Sequence, residues 1–290
     1  MTRDEQWLLD EKYAGKETAA FELDRKRLAK GEPLGYVIGW QPFLGLKIHL
    51  DSKPLIPRPE TEWWAEQLFG KISGRIIFET LGAGAAGQLR RRKAAAPQFA
   101  PARVSAASGG ASRRVLENNS SAELRFLDLC AGSGAIGCAA LTKLPNAQVY
   151  FGEMNPKHEA TIRKNIRENT LDETRADVRI GDLFEPFGDM MFDIIAANPP
   201  YIPTKRELPE SVAKHEPAQA LFAGDDGLDI IRRIALELPN RLNRGGVAWI
   251  ECDSAHAAAA CALFEANGLT SQIRTDQYDK PRVIVVHSMR

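Results

Sequence analysis

From residue 122 onward, apolar runs of strand length alternate with longer segments of helical period, and this alternation restricts the fold more than any other feature of the chain. Strands are expected at Arg125–Leu129, Gln148–Phe151, Val178–Ile180, Phe192–Ala197 and Val247–Glu251. Helices are expected from about Ala135, over Lys157–Asn169, over Leu228–Leu242 and over Ala255–Asn267. The last two strands, Ser271–Thr275 and Arg282–Val286, have no helix between them and predict a hairpin at one sheet edge. Strands joined through helices favour a parallel sheet covered on both faces, so the expected class is α/β, a seven-stranded Rossmann-like sheet.

The segment ahead of this alternation is of another kind. Residues 1–34 read as a short helical segment, with Phe21 and Leu28 on one side and the chain breaking at Gly31 and Pro33. Residues 35–57 read as a β-hairpin linker, Tyr36-Val37-Ile38 and Leu46–Leu50 around a Gln41-Pro42 turn. Residues 58–290 then form the main domain, beginning with a helix that starts near Thr61 and carries Trp63, Trp64 and Leu68, all three read as packing residues. Between about residues 81 and 122 periodicity disappears and Ala, Gly, Ser and Arg dominate, which predicts a disordered insertion. Its basic cluster Arg90-Arg91-Arg92-Lys93 could touch RNA, but a solvated loop is the expectation.

Composition excludes several function classes. The 38 basic and 38 acidic residues cancel, so no global field draws the chain to nucleic acid or to an anionic membrane. Cys130, Cys138, Cys252 and Cys261 form no C-x-x-C pair, which predicts reduced thiols in the cytoplasm and no metal site. The five histidines are scattered and read as surface or packing residues. No signal peptide is expected at Met1–Gln6, and no apolar run reaches membrane-spanning length. A monomer is expected.

Two motifs carry chemistry. Phe126-Leu127-Asp128-Leu129-Cys130-Ala131-Gly132-Ser133-Gly134 is a strand entering a glycine turn, and Gly132-x-Gly134-x-x-Gly137 fits a nucleotide-binding fingerprint. Asp128 just before the turn would repel a pyrophosphate and attract an ammonium. Glu153, at the end of the next strand, could accept both hydroxyls of a ribose. Asp182 and Leu183 follow the third strand, where an acceptor and an apolar cover could meet an adenine. The set suits S-adenosylmethionine better than NAD. The second motif, Asn198-Pro199-Pro200-Tyr201, ends an apolar strand, where open α/β sheets bind ligands. The Asn198 oxygen can accept from a planar NH2, the prolines stiffen a backbone whose carbonyl can accept again, and Tyr201 can stack on the flat group.

Together these residues resemble the class I S-adenosylmethionine-dependent methyltransferases that modify planar nitrogens. Leu55-Ile56-Pro57-Arg58-Pro59-Glu60-Thr61-Glu62, Glu216-Pro217-Ala218-Gln219-Ala220-Leu221 and Asp226-Gly227-Leu228 narrow the likeness to the HemK-type peptide chain release factor glutamine methyltransferases. The resemblance spans Gly31–Ile72 and Leu124–Val286. It implies a release factor as protein partner and methylation of the amide nitrogen of the glutamine in its Gly-Gly-Gln loop. It implies Asp128, Cys130, Ala131, Gly132, Ser133, Gly134, Glu153, Asp182, Leu183 and Asn198 at the cofactor, and Asn198 through Tyr201 at the reacting nitrogen. It also implies Arg58, Glu60, Asn198, Tyr201 and Glu216 on the substrate side, although the segment around Arg58 could equally pack the N-terminal part on the sheet. Cys130 stands where the family's first turn glycine is usual, and Leu183 where an aromatic is frequent. The competing readings are an adenine amino methyltransferase on DNA or RNA, a ribosomal-protein glutamine methyltransferase, and a binding module that kept the fold.

Overall fold

The structure, a computed structural model, describes residues 1–72 and 124–288. Residues 1–69 and 124–288 belong to the larger of the two units into which the chain divides. The expected insertion at about 81–122 lies outside the described residues.

In the larger unit, α1 (Arg3–Tyr13) opens with a capping box in which Thr2 accepts from the Glu5 backbone and Glu5 accepts from Thr2. Thr18 caps α2 (Ala19–Ala29) in the same way. Leu8, Leu9 and Phe21 from these helices close a small core with Val37 and Ile38, against which Leu28 packs. Tyr36-Val37-Ile38 is a correction to the expected strand, since it belongs to the short helix α3 (Leu34–Ile38). Pro33 sets the entering φ at −56° and Gly39 ends the helix at φ +97°, and this punctuation overrides the β preference of Val and Ile. The hairpin that follows, β1 (Trp40–Phe43) and β2 (Leu46–His49), turns at Leu44-Gly45, both with positive φ, and Pro42 lies within β1. Helix α4 spans residues 59–72 and begins just ahead of Thr61.

The remaining chain forms β3 (Leu124–Leu129), α5 (Ala135–Lys143), β4 (Ala147–Glu153), α6 (Glu159–Glu168), β5 (Ala176–Ile180) and β6 (Phe192–Ala197). It continues with α7 (Glu210–His215), α8 (Asp229–Glu237), β7 (Leu242–Glu251), α9 (Ala257–Ala266), β8 (Thr270–Thr275) and β9 (Pro281–His287). Its seven strands lie in the order β5-β4-β3-β6-β7-β9-β8, parallel from β5 to β7 and antiparallel through β9 and β8. Leu127, Leu129, Ile195, Ala197 and Ile250 are fully buried in its centre, as strands covered on both faces must be. Helix α8 ends five residues earlier than expected because Pro239 turns the chain through a short 3-10 segment, and β7 starts at once after it.

Two asparagines join the hairpin to the sheet unit. Asn165 on α6 and Asn169, which caps its end, each accept from a β2 backbone N–H and donate to a β2 carbonyl, Asn165 at His49 and Asn169 at Lys47. The open edge of β2 is thereby covered. Asn165 also donates to the Ser133 carbonyl at 2.9 Å, so one buried side chain holds both the hairpin and the glycine turn. Among the described residues no helix is long and apolar enough to cross a membrane.

Candidate active site

The sheet order reverses at β3, with β4 on one side and β6 on the other, and a cleft opens at the carboxyl ends of these strands. After Leu129 the chain turns sharply: Cys130, Gly132 and Gly134 all have positive φ, at 62°, 55° and 77°. Gly137 in α5 lies so near β4 that a Cβ there would fall 2.2 Å from the Phe151 ring. Only a residue without a side chain lets helix and strand approach this closely. Glu153 ends β4 and reaches the turn, its Oε2 accepting from the Gly132 N–H at 2.7 Å and its Oε1 from the Asn155 N–H at 2.8 Å.

Cys130, Ala131, Gly132, Ser133, Glu153, Asp182 and Leu183 line this cleft together. Asp182 is ion-paired to Arg233 at 2.6 Å, and Leu183, at φ +48°, tucks its side chain into the core while keeping one side on the cleft. Asp128 differs from expectation. It is fully buried beneath the turn, its Oδ2 accepts from the Gly137 N–H at 2.8 Å, and its Oδ1 has no partner. Burial pushes its carboxyl well above the usual range, so it braces the start of α5 from below instead of facing the cleft as a charge.

On the other side Asn198 and Pro200 line the cleft, with Pro199 buried behind them. Asn198 Nδ2 donates to Thr61 Oγ1 at 3.1 Å. The Thr61 hydroxyl donates to Glu251 Oε2 at 2.6 Å, the Trp64 indole to the same oxygen at 2.7 Å, and the Tyr201 hydroxyl to Glu251 Oε1 at 2.9 Å. Tyr201 is therefore a correction: its ring packs against the main core and its hydroxyl is committed to Glu251, so it is not a stacking platform on the cleft wall. Burial, reinforced by Glu251, pushes its phenol far above the ordinary value. Glu251 is itself buried at the end of β7, and burial raises its carboxyl.

The substrate-side residues also differ. Arg58 donates to Glu216 at 2.5 Å, and Glu216 accepts from the Ile56 N–H at 3.3 Å, so the two charges bind one another and not an open rim. The neighbours Leu55, Ile56, Pro57 and Thr61 line the cleft, whereas Glu60 does not. Sequence reasoning missed Thr61, Trp64 and Glu251 as site residues. Glu251 had a signal, an acid closing an apolar strand just as Glu153 does; Thr61 stood in the Leu55–Glu62 segment without a sign of its partner, and Trp64 had no signal. His158 stands on the cleft wall with Nδ1 2.8 Å from Ser52 Oγ, and burial lowers its pKa. Among the described residues no group of three or more His, Cys, Asp or Glu could hold a metal ion.

A family model described as a methyltransferase small domain matches residues 107–221. The release factor glutamine methyltransferase of Geobacter sulfurreducens is 34% identical over 244 residues, covering 83% of this chain and 68% of that protein. The protein of the same name from Chlamydia trachomatis serovar L2 is 30% identical over 256 residues, covering 87% and 71%. Among solved structures, a methyltransferase from Pyrococcus furiosus covers 56% of this chain and 73% of its own at 16% identity and a TM-score of 0.43.

Proposed function

This chain belongs to the family of release factor glutamine methyltransferases, and we propose that it methylates the side-chain amide nitrogen of the glutamine in the Gly-Gly-Gln loop of a class 1 peptide chain release factor. The methyl donor in this reading is S-adenosylmethionine, which supplies an electrophilic methyl on a sulfonium. One observation carries the reading: Asn198, an acceptor for a planar NH2, shares a cleft with the glycine turn and Glu153.

The turn residues fit an adenosine with no phosphate. Each Glu153 oxygen holds one backbone N–H and keeps lone pairs for a ribose hydroxyl. The Cys130 and Gly132 backbone admits the ligand closely, and Leu183 offers an apolar face for the adenine.

Amide nitrogen is a poor nucleophile because its lone pair is delocalised, so the protein's task is geometric. Asn198 Oδ1 accepts one amide hydrogen, and the Pro199 carbonyl, on a backbone stiffened by Pro200, accepts the other. Held this way the nitrogen points at the methyl, and alignment of this kind lowers a barrier by about 7–11 kcal/mol. With the cofactor bound, the nitrogen held by these acceptors would take the methyl from the sulfonium, the thioether would depart as the leaving group, and one amide hydrogen would pass to water as a proton. Positive charge growing on nitrogen strengthens both hydrogen bonds in the transition state, so the acceptors favour it over the ground state. No strong base is needed at the outset. A release factor substrate places the activity in the cytoplasm, with translation.

Incubation with labelled S-adenosylmethionine and, separately, release factor, its Gln→Ala loop variant, ribosomal protein and DNA tests the assignment. Label on the intact factor alone is expected. Label on DNA would transfer the assignment to an adenine amino group, and label on ribosomal protein to a different glutamine.

A further inference from the structure

A primary amide is nearly symmetrical, and Asn198 could turn either its oxygen or its NH2 to the cleft. Only the oxygen can hold a substrate NH2. Three residues far apart in the chain remove the ambiguity. The Trp64 indole has a hydrogen to give and no lone pair to offer, and it bonds Glu251 Oε2 at 2.7 Å. That oxygen must therefore be an acceptor. The Thr61 hydroxyl, 2.6 Å from the same atom, must direct its single hydrogen there, and it retains only lone pairs for its other neighbour. That neighbour is the Asn198 amide at 3.1 Å, and only the NH2 end can donate to a lone pair. The amide oxygen is left for the cleft.

We infer that Thr61 and Glu251, backed by Trp64, are positioning residues that set the hydrogen-bond polarity of Asn198 and thereby select an amide over a carboxylate as the group to be methylated; this rests on the acceptor role of Asn198 proposed above. A glutamine side chain brings two hydrogens to the Asn198 oxygen and the neighbouring carbonyl, whereas a glutamate carboxylate brings lone pairs only and meets oxygen against oxygen. The polarity also survives protonation of Glu251. Its Oε2 already receives two hydrogens, so a proton would reside on Oε1, where the Tyr201 hydroxyl can change from donor to acceptor.

The test compares four variants on release factor substrate, measuring kcat, KM and cofactor affinity beside melting temperature. Thr61→Val keeps the shape and removes the hydroxyl, and kcat is expected to fall about tenfold or more while cofactor affinity stays within about threefold. Thr61→Ser restores the hydroxyl and should restore kcat. Glu251→Leu removes the acceptor that fixes the Thr61 hydrogen, and kcat is expected to fall about tenfold or more, as in Thr61→Val. Asn198→Ala is the arm that tests the underlying reading. If Asn198→Ala is inactive and Thr61→Val turns over within twofold of wild type, the polarity relay is wrong and the acceptor role stands. If Asn198→Ala itself turns over normally, the acceptor role fails first. A Thr61→Ser protein as impaired as Thr61→Val, or a Glu251→Leu protein with wild-type kcat, would also overturn the relay, even if the valine variant folds poorly.

Discussion

Arg58 donates to Glu216 at 2.5 Å, joining the segment ahead of α4 to the segment that follows the Asn-Pro-Pro-Tyr motif. The Glu216 side chain is 1% exposed and also accepts from the Ile56 N–H at 3.3 Å, so loss of Arg58 strands a carboxylate away from water. Arg58→Met is expected to destabilise the protein by about 1–3 kcal/mol, below the range for a fully enclosed pair because the arginine is itself partly exposed. The double variant Arg58→Met/Glu216→Gln should recover part of that loss in urea denaturation. A double variant no more stable than Arg58→Met would argue against a stranded charge as the cause.

Asn198→Ala removes the acceptor and leaves the glycine turn untouched. Turnover should drop about 100-fold or more, the effect typical of deleting one preorganised group at the reacting centre. S-adenosylmethionine binding, followed by calorimetry, should remain close to wild type.

Glu153→Gln tests the opposite side of the cleft. One of its two backbone contacts, to Gly132 or to Asn155, then faces an NH2 and cannot form. Cofactor affinity is expected to weaken by about 1.5–3 kcal/mol, or roughly 10- to 150-fold, with the larger effect on KM for S-adenosylmethionine than on kcat at saturation.

Gly137→Ala would place a methyl group 2.2 Å from the Phe151 ring, a distance that forces helix and strand apart. Overpacking of this kind destabilises by about 1–3 kcal/mol. Because the glycine turn leads directly into α5, the loss should appear both in the thermal midpoint and in S-adenosylmethionine affinity, and Phe151→Leu in the same chain should relieve part of it.

Acid titration should isolate one contact in the N-terminal region. Arg27 donates to both Glu32 oxygens at 2.8 Å and Lys53 adds a third contact at 3.1 Å, and the arginine bonds above all hold the Glu32 carboxyl down from its ordinary 4.5 to about 2. A depressed carboxylate contributes its full stability above the unfolded value and loses it as pH falls through the folded one. The difference in urea midpoint between wild type and Glu32→Gln should therefore be constant above about pH 5 and should vanish near pH 2. A difference that persists at pH 2 would locate the effect in packing.

The centre of the sheet was legible because strands buried on both faces write themselves as near-continuous apolar runs, as from Ile194 to Ala197 and from Ala248 to Ile250, whereas the edge strand β5, with only Val178 buried, was readable from its place between helices. Tyr36-Val37-Ile38 misled because three residues hold too little periodicity to outweigh the Pro33 and Gly39 that bracket them. In the site, Glu153 and Asn198 were readable since each ends a strand beside the switch in strand order. The Tyr201 ring was misjudged because its direction is decided by Glu251, 50 residues away, and Thr61 was invisible because its partner lies 190 residues distant. Contacts of that separation leave no local pattern. Asp128 shows a subtler limit: its position in the chain was right for the turn, but its depth below the surface depends on how tightly Gly137 lets α5 settle.

Leu129 and Ala197 are paired neighbours on β3 and β6, one residue before Cys130 and one before Asn198 respectively. The separation between the Cys130 turn and Asn198 is thus laid down by main-chain hydrogen bonds in the middle of the sheet. Sliding either strand by two residues would carry Asn198 about 7 Å along the sheet, beyond any reach of side-chain adjustment. In the proposed reaction, reach is a matter of ladder register, and substitutions that merely reshape the rim should alter which partner is admitted long before they alter that separation.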